Sequence, residues 1–148
     1  VAMDLVRLFS KRSSKTIFKS KEKNRFSSMT LFLVATTISF LVFSEGIPYV
    51  ALTCITIGDF FGKIIGMQYG KTYLFRHKTL EGTLAFFSGS VTVTYIVGLV
   101  FGIPIVWIVI GSAIAAVTEL FSDHIDDNFT VSIVVGGALT AVRLIGFS

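Results

Sequence analysis

The sequence predicts an all-α protein, a polytopic transmembrane helical bundle of about five membrane-spanning helices. Three observations predict it. Hydrophobic residues make up 53% of the 148 residues and charged residues only 15%, with a mean hydropathy of +0.79; soluble domains carry about 25% charge. The charges are confined to short segments, so uncharged runs of membrane length lie between them. Cations collect in those segments that alternate topology would place on one side. At this length the chain is one domain, and much of its apolar surface must face lipid rather than a core.

The elements follow in order. Residues 1–26 form a basic segment, with eight Lys/Arg in residues 1–25 against Asp4 and Glu22. Part of it, 5–20, suits a basic helix lying along an anionic leaflet, or a plain solvated tail. No charge occurs between Arg25 and Glu45, which leaves 19 residues, enough for one crossing of about 30 Å. Gly46 and Pro48 break that helix and start another running to about Gly70. Residues 82–118 hold no charge over 37 positions, too long for a single span. Gly102-Ile103-Pro104 divides them, because Pro ends one helix and suits the first turn of the next. The spans expected are 27–44, 48–69, 81–102, 104–122 and 129–147, and none of this asks for a strand. No cleavable signal peptide is expected, since the first long apolar run starts late and no small-residue cleavage site follows it. The single Cys54 excludes a disulfide within the chain and any CxxC metal site; it reads as a small buried residue.

The positive-inside rule orients the set. With the N-terminus cytoplasmic, loops 70–80 and 123–128 are cytoplasmic too, and eleven of the thirteen Lys/Arg lie on that side. The opposite turns, 45–47 and 102–103, hold none. The gradient reads as membrane orientation and not as nucleic-acid binding, because no aromatic or Arg-rich readout surface accompanies it.

Within this apolar frame a few polar residues stand out. Asp59 lies near the middle of a span, where a carboxylate costs at least about 2.5–3.5 kcal/mol and is usually kept for use. Lys63 is one turn further along the same face, so a structural salt bridge is the plainer account of both. Gly58, Gly62, Gly66 and Gly70 recur every four residues, a smooth strip on which another helix can approach closely. The loop GKTYLFRHKTLEGT holds Lys71, Arg76 and Lys78, with Gly70 and Gly82 where backbone can come near a ligand. Thr79 suits the N-cap of the next helix, whose first N–H groups would face an anion, and Glu81 fits its first turn. A polyphosphate needs such a set; an ordinary positive-inside loop has it too. No Walker A spacing is present, and His77 reads as a bystander. Glu119, Asp123 and Asp127 fall at i, i+4 and i+8, with Asp126 and Asn128 beside them. Oxygen ligands at that density suit Mg²⁺, although a solvated acidic turn explains Asp123 and Asp126 as well. Glu45 and Arg143 read as interface residues, the latter snorkelling. Together these features point to a membrane-embedded site for a phosphorylated ligand.

Three segments, GDFFGKIIGMQYGK, HKTLEGTLAFFSG and TELFSDHIDDNFTVSI, resemble in that order the CTP-dependent lipid kinases: dolichol, phytol and farnesol kinases and the CTP-dependent diacylglycerol kinase. The family pattern is a Gly-Asp inside a helix, a Lys-[Ser/Thr]-x-Glu-Gly opening the next, and a Glu followed by a late Asp-Asn. Here these fall on Gly58-Asp59, on Lys78-Thr79-Leu80-Glu81-Gly82, and on Glu119 with Asp127-Asn128. NRFSSMTLFLVA is similar to the stretch that precedes the family's Gly-Asp helix, so the resemblance covers roughly residues 24–135. Two departures stand out: Lys63 replaces a residue that is usually small, and the family's one or two further N-terminal helices are missing, as in a shortened member or a fragment.

The resemblance implies transfer of the γ-phosphate of CTP to the hydroxyl of a membrane lipid alcohol, with Mg²⁺, in a membrane-embedded domain at 27–148 distantly related to phosphatidate cytidylyltransferases. It implies catalytic roles for Asp59, Glu81 and Glu119. Nucleotide contacts would come from Gly70, Lys71, Arg76, Lys78, Thr79 and Gly82, and metal contacts from Asp59, Asp127 and Asn128. The partners expected are CTP, a lipid alcohol and the bilayer, with no nucleic acid; homo-oligomerisation is left open. A cytidylyltransferase is the nearest rival, but its His-Gly-Gly loop and late Asp-[Arg/Lys]-x-x-Asp are not present. A small ion or proton transporter using Asp59, Lys63 and Glu119 is the non-enzymatic alternative.

Overall fold

The computed structural model of the chain describes residues 28–122 and 127–146. The basic segment 1–26 and the side chains of Asp123, Asp126 and Asp127 lie outside the described residues. What is described is mostly helical. Helix α1 spans Ser28–Val42, α2 Ile47–Tyr69, α3 Leu80–Phe101, α4 Ile105–Phe121 and α5 Asp127–Leu144. Each begins and ends close to the bounds the charge pattern predicts. Two of them, α2 and α3, are long and apolar enough to cross a membrane; the apolar stretches of the other three are shorter.

The breaks have the expected causes. Pro48 sits in the first turn of α2, where its missing N–H leaves nothing unsatisfied. Gly102 ends α3 in the left-handed region, at φ 66° and ψ 33°, a conformation glycine adopts without a Cβ penalty. Pro104 then caps α4 and accepts from the N–H groups of Trp107 and Ile108. Helix α2 is not uniform: Cys54–Gly58 forms a π-helical turn. Thr53 and Thr56 back-bond to the carbonyls of Tyr49 and Leu52 at 2.7 and 2.8 Å beside it, supplementing the ladder where it widens.

The strand-free expectation needs correction in the 70–80 loop. Tyr73–Phe75 (β1) and Lys78–Thr79 (β2) pair as a small antiparallel hairpin, and Leu80 N–H donates to Thr72 O at 2.8 Å. Aromatic residues favour such a ladder. Arg76 closes the turn at φ 49°, and a residue with positive φ suits a tight hairpin turn.

The helices close around one core. α2 packs on α3, α3 on α4, α4 on α5 and α5 on α1, and the first half of α2 also meets α5. Phe86, Trp107, Ile108, Val135 and Leu139 fill the centre, and a buried Ser39–Ser132 hydrogen bond of 3.0 Å ties α1 to α5. The outer faces carry exposed large apolar side chains, among them Leu41, Met67, Leu84, Leu99, Val117 and Leu144. Arg143 does not stand alone as a snorkelling cation: it pairs with Glu45 at 2.6 Å and so ties α5 to the α1–α2 turn.

Candidate functional site

The second half of α2 lies close against the first half of α3 because glycines there leave room for the other helix's backbone, as at Gly62 and Gly82, or for its side chains, as Gly58 does for Phe86 and Gly89 for Phe61. A Cβ at Gly62 would come 3.3 Å from Gly82 O, and one at Gly82 would come 3.0 Å from Gly62 O. The glycine strip predicted from the four-residue repeat is therefore the α2–α3 contact. Where the two helices part, the hairpin folds over the gap and the end of α4 closes it. The result is a cleft of about 430 Å³.

Three separate stretches of sequence meet there. Gly62, Lys63, Gly66 and Gly70 come from α2 and its end; Lys78, Thr79, Gly82 and Thr83 from β2 and the start of α3; Glu119 from the last turn of α4. The first turn of α3 opens into the cleft, and Thr79 caps it, accepting from Gly82 N–H at 3.3 Å. The first N–H groups of α3 are engaged, Leu80 with Thr72 O and Gly82 with Thr79 Oγ1, so what this helix end offers an anion is the positive end of its dipole.

Lys78 is the central charge. Its ammonium donates to Glu119 Oε1 at 2.5 Å and to Glu119 O at 2.5 Å. The carbonyl belongs to the C-terminal turn of α4 and also accepts from Ser122 N–H at 3.2 Å; the negative end of the helix dipole there favours a cation. The side chains of Lys78 and Glu119 are only 22% and 13% exposed, so water screens this pair poorly.

The other singled-out residues divide. Lys63 lines the cleft and pairs with Asp59 Oδ2 at 2.6 Å, with 61% of the Lys63 side chain exposed. Asp59 itself does not line the cleft, and its Oδ1 is buried with no hydrogen-bond partner. Glu81 turns back on the loop, its carboxylate accepting from the N–H groups of Lys71 and Thr72 at 3.1 to 3.2 Å. It thereby holds the root of the hairpin. Arg76 lies over the Phe75 ring, 5.5 Å from its centroid. Neither Lys71, Arg76, Glu81 nor Asn128 lines the cleft. His77 does, together with Tyr73 and Met67. The sequence reading sets His77 aside because it does not foresee the hairpin that brings this exposed residue to the edge of the cleft.

Mg²⁺ asks for several oxygen ligands in near-octahedral array. Among the described residues no three metal-binding side chains come together: Asp59 is engaged by Lys63, Glu81 by the loop and Glu119 by Lys78. These residues do not by themselves make a divalent-cation site. Comparison with protein-family models, with curated proteins and with solved structures finds no match for the chain.

Proposed function

We propose that the chain is a membrane-embedded, CTP-dependent lipid kinase, moving the γ-phosphate of CTP to the hydroxyl of a lipid alcohol of the polyprenol or diacylglycerol type. One observation carries this reading: residues from all three segments that resemble that family, Gly58-Asp59 itself excepted, line one cleft with a lysine, a capped helix N-terminus and glycines. In the same reading all five helices cross the bilayer. The exposed apolar side chains of the outer faces support that, and α4, with 17 residues, rises about 26 Å at 1.5 Å per residue. The cleft then opens at the cytoplasmic end, where the positive-inside rule puts the 70–80 loop and where nucleotides are.

Phosphoryl transfer asks for positioning and charge neutralisation more than for covalent chemistry. Lys78, at the positive end of the α3 dipole, holds the phosphates, and Lys63 adds charge at the rim. The lipid hydroxyl oxygen attacks the γ-phosphorus, the bond to the β-phosphate oxygen breaks, and CDP leaves. Phosphate drawn onto Lys78 frees the Glu119 carboxylate to accept the hydroxyl proton. The resemblance also implies Mg²⁺ on Asp59, Asp127 and Asn128; Asp59 and Asn128 do not line the cleft, so the phosphate charge is assigned here to Lys78 and Lys63. With membranes containing the chain and a panel of lipid alcohols, label from γ-labelled CTP is expected in an organic-soluble lipid phosphate and label from the α position in CDP. Label from the α position in the lipid would make the protein a cytidylyltransferase.

A second reading rests on a separate observation. Asp59 Oδ1 is buried without a hydrogen-bond partner, as in a transporter whose path carries an ion or proton. Absence of transfer from either label, together with ion flux in vesicles that Asp59→Asn abolishes, would select it.

A further inference from the structure

At the end of the bundle away from the cleft, a second cavity of about 440 Å³ lies between the α1–α2 turn, the α3–α4 turn and the last turn of α5. Tyr49, Phe101 and Trp107 wall it, and Glu45 and Arg143 stand at its mouth. Phosphate transfer has no use for this place. It lies beside exposed Leu41, Val42, Val100 and Leu144, where the apolar outer surface ends and aromatic residues typically meet the headgroup layer.

We infer that this cavity binds the headgroup of a zwitterionic phospholipid bearing a primary ammonium, with the phosphate on Arg143 and the ammonium on Glu45. The inference rests on the membrane part of the proposal above and not on its kinase chemistry. Three observations carry it. The two charges are side by side, with Arg143 Nη2 2.6 Å from Glu45 Oε1, and a phosphoethanolamine group presents the complementary pair one short linker apart. Neither charge is used up: Arg143 donates to Glu45 and to Ser44 Oγ, which leaves further guanidinium N–H groups for a phosphate, and Glu45 keeps its second oxygen. Glu45 is also held at φ 57°, in the left-handed region that non-glycine residues seldom enter. Such strain is typically retained where a side chain must be aimed.

The aromatic walls decide between ammonium types. Tyr49 stacks on Phe101 with centroids 4.3 Å apart at 18° and meets Phe40 edge-on at 5.3 Å. Its ring is engaged by neighbours, so no open aromatic cage is left for a quaternary ammonium. A carboxylate acceptor suits a group that can donate hydrogen bonds, and the walls suit the glycerol and first methylenes of the chains.

Trp107 is the only tryptophan in the chain, and it reports on this cavity without labelling. The full chain, purified in a maltoside detergent, is titrated with dihexanoyl-phosphatidylethanolamine, -phosphatidylglycerol and -phosphatidylcholine while Trp107 emission is followed. We expect a saturable change with the ethanolamine lipid at a concentration about tenfold or more below that of the other two. Arg143→Gln should weaken it about tenfold, and Glu45→Gln should erase the preference over phosphatidylglycerol. Equal midpoints for the three lipids, a response that does not saturate, or one that Arg143→Gln leaves intact in a folded protein would overturn the site. If a variant does not fold, the lipid series on the unaltered chain still decides. An alkaline carbonate wash of cell membranes keeps the two readings apart: release of the chain overturns the membrane reading and this site with it, whereas retention with a flat lipid series overturns this site alone.

Discussion

The two ends of the bundle carry cavities of nearly equal volume, about 430 and 440 Å³, and each is bordered by an ion pair, yet they are built from different materials. At the cleft the walls are glycine backbone and a helix N-terminus, and the pair Lys78–Glu119 is largely buried. At the far end the walls are aromatic rings, and the pair Arg143–Glu45 is 38% and 53% exposed. Backbone walls cannot turn aside for a side chain added where the helices touch, as at Gly82. Ring walls offer apolar contact and can shift. The two ends should therefore respond differently to the same kind of change, and that difference is measurable.

The largest effect is expected at Lys78. Lys78→Ala removes the one cation that the cleft holds in a buried pair, and γ-phosphate transfer should fall by at least about 100-fold, the usual consequence of losing a donor aimed at developing charge. Initial rates with labelled CTP, on protein shown by circular dichroism to be folded, check it. Retention of more than a tenth of the activity would reduce Lys78–Glu119 to a structural tie, comparable in kind to the pair at the far end.

Glycine substitutions sharpen the contrast next. Gly82→Ala would put a Cβ 3.0 Å from Gly62 O and 3.1 Å from Gly66 Cα, both backbone atoms that move only if α2 moves. Overpacking of this kind costs about 1–3 kcal/mol. Gly46→Ala at the far end meets Ile103 side-chain atoms instead, the nearest, Cγ1, at 2.7 Å; relief there needs a turn of the Ile103 side chain and no helix movement, so its cost should be the smaller. Denaturant unfolding in detergent compares the two. Equal losses would mean that the walls do not differ in stiffness.

Much of this was legible in the sequence, for physical reasons. Charges punctuate a chain this apolar, so the helix limits near residues 44, 70, 102 and 122 follow from where charge, Gly and Pro occur. The α2–α3 contact was legible because a four-residue glycine repeat has little other use. The hairpin was not: three residues of strand leave no periodicity to read, and turn chemistry at Arg76-His77 is not the common Asn-Gly kind. Missing it misplaced the loop cations, since Arg76 stacks on Phe75 and Glu81 is drawn to the loop N–H groups. Partner choice among charges was equally hidden. Lys78 finds Glu119 across 41 residues, and Arg143 finds Glu45 across nearly the whole described chain, by tertiary packing that no local spacing encodes.

A smaller effect is expected from Thr79→Ala. Thr79 is buried, accepts from Gly82 N–H and sits where α3 begins, so its loss should cost about 1 kcal/mol as N-caps do. Thr79→Ser, which keeps the oxygen, should recover most of it. If both variants lose the same amount, the methyl contact and not the cap sets the geometry of the cleft floor.

The smallest effect is expected at Asp59 and Lys63, and it bears on the second reading. The pair spans one helical turn, and most of the Lys63 side chain is in the open, so a double-mutant cycle of Asp59→Asn and Lys63→Met should give a coupling of only about 0.3–0.5 kcal/mol. A buried pair would behave otherwise, because removing one partner would strand a charge and cost several times more. With weak coupling, loss of function in Asp59→Asn cannot be ascribed to a broken salt bridge. It would trace to the buried Oδ1, which has no hydrogen-bond partner and which asparagine can fill only with a neutral group. Strong coupling, with the double variant recovering both stability and turnover, would instead make Asp59 a structural partner of Lys63 and take it out of the chemistry of the cleft.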